Sequence, residues 1–402
     1  RAPGPVVFYA IPYAVVGTGA SDEARWTAAL LWSAAWMGLS LVLLGRSARW
    51  LGGETAWLAT MTLVLATPLI VYYTFGILAE CLAYLSVCCW IFGWSYWISH
   101  PLTRRRSRGL LAVLAACLGM TGFVLARPNA ALVYPLGLAA GALLWWKHRG
   151  ASEFRSHLGF LAATLVTSIG LFVGVSQLVG RLPSNADRSP QVEVFGLALM
   201  LGRFQFRSEP WDWRHWSAPQ RVGSRDYADY LAAIEELKRQ EEIQGIPYER
   251  LKFDYCLRDI QEHPLLNLRI TWTRVVAIQV AMINSKRIES FRLGPIDGLT
   301  VFSAIHVVIN GVMLLTLFGS IWFVMTDRRA SWYWVLWTPW IALWLFHAVV
   351  YAENRYLHPS RPCTILMTAL VFASAFDGWK SRDSATNAGI VASDPNDESH
   401  VP

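Results

Sequence analysis

Apolar residues run along this chain in long blocks rather than in the alternations of strands or the narrow stripes of surface helices. A helix that crosses a bilayer needs about 20 largely apolar residues. Blocks of that kind occupy 25–45, 55–73, 77–98, 109–126, 129–146, 158–179, 299–325, 331–350 and 358–376, which predicts about nine spans. An earlier apolar stretch, 6–16, is too short to span and contains Pro12, so it reads as a half-inserted or surface helix. No segment carries a strand signal strong enough to set against the helical pattern. The predicted fold class is all-α: a polytopic transmembrane helical bundle with one large, mainly helical loop over 180–298.

Inside that loop the period changes. Tyr227, Tyr230, Leu231, Ile234 and Leu237 recur at helical spacing, with Glu235, Glu236, Lys238 and Arg239 on the other face. A second helix is predicted from Tyr248 to Glu262, broken at His263-Pro264. Pro264 suits the first turn of a third helix, about 265–284. That helix mixes Leu265, Leu268, Trp272, Val275, Val276 and Val280 with Arg269 and Arg274, and reads as an amphipathic helix lying in the membrane interface.

Charge placement sets the expected orientation. Basic residues follow the odd-numbered blocks: Arg46 and Arg49, then Arg104, Arg105, Arg106 and Arg108, then Lys147, Arg149 and Arg155, then Arg328 and Arg329, then Lys380 and Arg382. The connections after even-numbered blocks are nearly bare. The positive-inside bias puts the odd exits in the cytoplasm and the 180–298 loop outside, in a plasma (inner) membrane protein. The chain divides into a bundle at 1–179, the extracytoplasmic loop domain at 180–298, a membrane hairpin and last span at 299–376, and a polar tail at 377–402 expected to be disordered and cytoplasmic.

Composition agrees with a lipid solvent. Of 402 residues 54% are apolar and only 16% charged, against about a quarter charged in soluble domains. Most of the 21 Trp stand at block ends, where the ring is buried and its N–H stays wet. The net charge of +7 sits in short connections, a topology signal and not a nucleic-acid footprint. Five of the six cysteines lie in apolar blocks and only Cys256 in the loop, so they read as small packing residues; no C-x-x-C occurs. There is no Walker A loop, dinucleotide turn, nucleophile elbow or H-E-x-x-H, so no nucleotide cofactor is expected.

Ionisable groups at membrane depth are costly and therefore candidates for function. Glu80, one turn into the third block, reads either as a ligand for a cation, sugar hydroxyl or basic partner, or as an acid favoured by a helix N-terminus. Arg127, in Leu125-Ala126-Arg127-Pro128-Asn129, reads as a phosphate ligand or as a snorkelling interface residue. The densest group is Tyr351-Ala352-Glu353-Asn354-Arg355-Tyr356, followed by His358-Pro359. Arg355 is basic on the side that should lack basic residues, which points to an anionic headgroup. Glu353 could orient it or hold a sugar hydroxyl, and Tyr356 could stack on a sugar; the other reading is a polar turn with an exposed ion pair. Trp211-Asp212-Trp213-Arg214-His215-Trp216 suits carbohydrate stacking or packing on lipid headgroups. His306 and His347 read as packing residues.

These segments, in order, resemble the GT-C type membrane glycosyltransferases, the group of the protein mannosyltransferases and the bacterial lipid A aminoarabinose transferase. Arg1-Ala2-Pro3-Gly4-Pro5-Val6-Val7-Phe8 resembles the Pro-Gly stretch after that family's first outer loop, with Pro5 where Tyr is common. Ile77 to Leu85 resembles its acid-bearing segment, Leu125 to Asn129 its Arg-Pro segment, and Ile260-Gln261-Glu262-His263-Pro264 the stretch before its amphipathic helix. Glu353-Asn354-Arg355-Tyr356 with Pro359 and Pro362 resembles its closing motif. The resemblance implies transfer of a sugar from a polyprenyl-phosphate donor to a lipid, glycan or protein acceptor at the outer face. Glu80, Arg127 and Arg355 are then implied near the donor phosphate, with a divalent cation left open. The family's catalytic Asp precedes the Pro-Gly stretch and is expected upstream of Arg1, in a longer protein of which this chain is a piece. The alternatives are a ligase or polymerase of lipid-linked glycans, a transporter or flippase, and a non-catalytic lipid-binding scaffold.

Overall fold

A computed structural model describes residues 3–67, 79–100, 106–148, 152–180, 192–208, 223–280, 292–326, 333–350 and 357–391. The helices are α1 (Pro3–Val16), α2 (Asp22–Ala66), α3 (Ala79–Ser99), α4 (Arg106–Ala126), α5 (Val133–His148), α6 (Ser152–Gly180), α7 (Val192–Phe204), α8 (Arg225–Gln244), α9 (Tyr248–Glu262), α10 (Pro264–Val280), α11 (Gly298–Thr326), α12 (Tyr333–Val349) and α13 (Arg361–Val391). Short 3-10 turns stand at Pro128–Leu132 and His358–Ser360. The all-α expectation holds. Among the described residues its one departure is a hairpin of two-residue strands, β1 (Arg292–Leu293) and β2 (Ile296–Asp297), turned at Gly294 with φ 65°. Two residues are too few to show an alternation in sequence.

The nine expected apolar blocks fall on nine helical segments, since α2 is two helices joined at a break and carries two of the blocks. Gly52 and Gly53 leave the helical region at its middle, and Gly53 has φ 68° and ψ −161°, a conformation essentially reserved for glycine. The two arms fold back on each other, so that a Cβ at Gly45 would meet Met61 and Trp57. Five helices are long and apolar enough to cross a membrane: α2, α3, α4, α6 and α11, within the described residues. The apolar α5 and α12 have 16 and 17 residues, about 24–26 Å at the α-helical rise. The last helix continues to Val391, past the end expected for its span.

Bundle packing follows the rules of an apolar solvent. Leu110, Leu111, Leu114 and Leu118 on α4, and Val166, Ile169 and Val173 on α6, point away from the protein and are exposed. Lipid supplies no hydrophobic drive between helices, so close approach and interhelical hydrogen bonds hold them. A Cβ added at Gly119 of α4 would lie 2.5 Å from the Ser86 carbonyl oxygen and the Trp90 nitrogen of α3. Thr121 of α4 and Tyr134 of α5 both hydrogen-bond the Ser168 hydroxyl of α6, at 3.1 and 3.0 Å. The Trp90 indole donates to the Val335 carbonyl of α12 at 3.2 Å, and the Thr316 and Thr368 hydroxyls pair at 2.9 Å.

The two ends of the bundle differ chemically. At one, Arg46 lies over the Trp50 ring and Arg49 pairs with Glu54. Trp50 there also contacts His100, and its carbonyl accepts from Ser99, so the α2 turn and the end of α3 share this end. The opposite end carries the start of α3, the end of α4 and the start of α13. There α1 packs Phe8 and Tyr9 against Cys81, and the Tyr9 hydroxyl pairs with Ser33.

Helices α7 to α10 form a separate layer with its own core of Leu199, Met200, Phe204, Leu237, Leu251 and Cys256. Their bounds follow local signals. Ser224 caps α8 by accepting from the Tyr227 N–H at 3.0 Å, Gly245 ends it in the left-handed region, and Pro264 opens α10 as expected. The layer is fastened to the bundle by two buried guanidiniums. Arg274 donates from Nη1 to the carbonyls of Ala348 (3.0 Å) and Val350 (2.8 Å), and from Nη2 to that of Gly202. Arg203 donates to Asn267 Oδ1 at 2.5 Å and to the Val349 carbonyl at 2.7 Å. The negative ends of α7 and α12 thus meet on Arg274, where the helix dipoles favour a cation. Burial, and then the neighbouring Arg203 charge, push the pKa of Arg274 well down from its ordinary value. Leu265, Leu268 and Trp272 on the other side of α10 are exposed.

The close approach at Gly119 is testable. Gly119→Ala should lower stability by about 1–3 kcal/mol through overpacking against backbone. Gly159→Ala, inside α6 where nothing lies within 4 Å of the added Cβ, should not lower it and should raise it by up to about 1 kcal/mol. Unfolding midpoints in one detergent compare the two.

Candidate functional site: a buried charged cluster at one end of the bundle

The site begins at a proline. Pro128 disfavours helical backbone at the residue before it, so α4 stops at Ala126 and Arg127 takes φ −139° and ψ 86°. The Arg127 N–H still bonds the Phe123 carbonyl at 2.9 Å, and its own carbonyl accepts from Ala130 at 2.8 Å. Held this way, the guanidinium reaches across to the first turn of α3 and donates from Nη2 to Glu80 Oε1. Glu80 is only 3% exposed and sits where the α3 dipole favours an acid. The two readings of Glu80 therefore coincide: it stands at a helix start and also binds a basic partner.

One turn further along α3, Tyr84 lies fully buried and stacks on the His358 ring at 5.5 Å with 24° between planes. His358 opens the 3-10 turn that leads into α13, and Arg361 follows at the head of that helix, 1% exposed. His358 lies within electrostatic reach of Arg361, Arg127 and His306. His306 comes from α11 and is buried, with Asn310 Nδ2 2.9 Å from its Nδ1 and 2.7 Å from its carbonyl oxygen. The Tyr84 hydroxyl is buried and makes no hydrogen bond among the described residues.

Elements distant in sequence thus bring together one carboxylate, two guanidiniums, two imidazoles and a phenol. Guanidiniums in a poorly solvated setting interact with anions far more strongly than in water, and their planar fork matches the oxygens of a phosphate. Imidazole and phenol groups can donate to the same oxygens. The arrangement suits an anionic headgroup that reaches the site from the membrane.

Sequence reading named Glu80 and Arg127 separately, and the structure joins them. Glu353, Arg355 and Tyr356 lie outside the described residues, as do Trp211 to Trp216. His306, read as packing, is buried and hydrogen-bonded as such a residue should be, yet it also faces the cluster. Arg361 and Tyr84 were not singled out. For Arg361 the signal was present: an arginine one turn inside an apolar block is the kind of residue that membrane energetics marks.

Fold and site together define an all-α polytopic membrane protein with a charged site buried at one end of its bundle. No protein-family model matches the chain, and no curated protein matches it. Among solved structures the chain is similar to the crystal structure of ArnT from Cupriavidus metallidurans bound to undecaprenyl phosphate. The match has 15% sequence identity and a TM-score of 0.32, and covers 90% of this chain and 67% of that one. A likeness at that level fixes no residue correspondence.

The Glu80–Arg127 pair predicts a specific stability pattern. Glu80→Ala should cost about 3–5 kcal/mol by leaving a largely buried guanidinium without its carboxylate. The double variant Glu80→Ala/Arg127→Met should recover part of that loss. Denaturant or thermal unfolding of the two variants in detergent measures the difference.

Proposed function

We propose that the protein is a membrane glycosyltransferase that takes its sugar from a polyprenyl-phosphate donor. The observation that carries this reading is the buried cluster of Arg127 and Arg361 with His358 and the paired Glu80. Four motif resemblances to the GT-C type enzymes fall on or beside this end of the chain's bundle, and a lipid-linked phosphate is an anion that arrives by way of the membrane.

In the transfer, the acceptor's hydroxyl oxygen or amine nitrogen forms a bond to the anomeric carbon and gives its proton to a carboxylate base of the kind the GT-C resemblance implies. The bond from that carbon to the phosphate oxygen breaks, and its electron pair leaves with the polyprenyl phosphate. Negative charge grows on the phosphate as the bond breaks, and groups aimed at it in advance lower the barrier. Arg127 and Arg361 supply fixed positive charge there, and Glu80 orients the Arg127 guanidinium through their ion pair. Arg355, with Glu353 and Tyr356, joins this set on the strength of the sequence resemblance. The acceptor is a lipid, glycan or protein hydroxyl or amine presented beneath the α7–α10 layer. This reading assigns charge stabilisation to the guanidiniums.

Binding of the donor's headgroup is the direct test. Purified protein should be labelled by a photoactivatable polyprenyl phosphate, with competition by unlabelled polyprenyl phosphate and not by the dephosphorylated alcohol. Arg127→Ala and Arg361→Ala should each weaken that binding about tenfold to hundredfold, the size of one charge-assisted contact. In a full-length parent, Arg355→Ala should remove sugar transfer while leaving the protein folded. Transfer from a nucleotide sugar with no polyprenyl donor present would overturn the class of reaction.

A further inference from the structure

The arginines of the α7–α10 layer do more than fasten it to the bundle. α12 ends at Val349, and its last carbonyls would ordinarily turn to water. Three successive ones, Ala348, Val349 and Val350, instead accept from Arg274, Arg203 and Arg274 again. Neither guanidinium has appreciable exposure. Arg274 has three carbonyl partners among the described residues, and these belong to the ends of two helices. Arg203 is tied in turn to Asn267 on α10, whose amide nitrogen bonds the Asp259 carbonyl at 2.9 Å and the His263 carbonyl at 3.0 Å. The corner between α9 and α10 is thus part of the same network, and Asp259 also pairs with Arg207 at 2.7 Å.

What the clamp holds is next to the charged cluster along the chain. Val350, gripped by Arg274, is seven residues before Leu357, where the chain turns into the His358–Ser360 helix and delivers His358 and Arg361. Both ends of that connection are buried and fixed, one by the layer and one by the Tyr84 stack.

We propose that Arg274 and Arg203 are positioning residues for the phosphate cluster: by fixing the last carbonyls of α12 they set where the chain re-enters the bundle at His358 and Arg361. They touch no substrate in this role. The layer thereby becomes a condition for headgroup binding and not only a cover. The inference rests on the reading of the cluster as a phosphate site, and it is tested in two parts that separate the two claims.

The first part needs no ligand. Hydrogen exchange is followed by mass spectrometry on detergent-solubilised protein, at the amides of Phe346–Val350 and Leu357–Arg361. Arg274→Lys, which keeps the charge but loses the fork that bridges separate carbonyls, should speed exchange in both segments. The amides of α8 and of the α3–α4 pair should stay protected. Acceleration confined to Phe346–Val350 overturns the coupling to His358. The second part measures photoaffinity binding of polyprenyl phosphate. Arg274→Lys and Arg203→Lys should weaken it about tenfold to hundredfold, as a displaced binding group does, at an unfolding midpoint close to the parent's. Unchanged affinity alongside faster exchange would make the clamp purely structural and overturn the proposal. If the parent itself binds no polyprenyl phosphate, the functional reading fails, while the exchange result still decides whether the clamp sets the return of the chain. Should Arg274→Lys not fold, Arg203→Lys, which loses only its contacts to Val349 and Asn267, answers the same two questions.

Discussion

Two buried arginines join the layer of this molecule to its bundle. Arg274 and Arg203 lie in the α7–α10 layer, but their acceptors are the closing carbonyls of α12 and α7 and the amide of Asn267. A buried guanidinium is costly unless its donors are satisfied. Here the Nη donors meet chiefly groups that are themselves costly to leave unmade, the orphan carbonyls at helix ends, while the Nε of each guanidinium is buried with no hydrogen bond among the described residues. Each solves the other's problem, and the solution exists only when layer and bundle are docked. The orientation of the layer, the exit of α12 and the return of the chain at His358 all depend on it.

The same logic shapes the charged cluster. In an apolar surrounding, Glu80 and Arg127 cannot stand apart at low cost, so the proline-directed turn after α4 delivers one to the other. Arg361 and the two imidazoles then share a region where few water molecules compete, and an anion placed there would meet strong fields. The opposite end of the bundle handles its charge differently. Arg46 rests on a tryptophan face and Arg49 on an exposed Glu54. The asymmetry is one of burial as much as of sign.

Much of this architecture was legible in the residues. Apolar blocks located the membrane helices, because in lipid every backbone group must be satisfied within its own segment. Pro264 and the charged face between Tyr227 and Leu237 located the layer helices, because a ring without an N–H and a 3.6-residue period are local constraints. The α2 turn was legible as a basic connection, though not as two glycines that break the helix into arms folded back on each other. Glu80 and Arg127 were legible as residues out of place in lipid.

Their partnership was not, and neither was the role of Arg361, Tyr84 or His306. Glu80 and Arg127 are 47 residues apart, and Arg274 lies 72 and 76 residues from two of its acceptors. No local period or propensity relates residues at such separations. The sequence by itself determined which segments are helices, which of them can live in lipid, and which charges are anomalous there, since each depends on the chemistry of neighbours along the chain. Only the tertiary structure decided which anomalous charges meet and which helix ends they close, because desolvation and hydrogen-bond satisfaction are set by what surrounds a group in space.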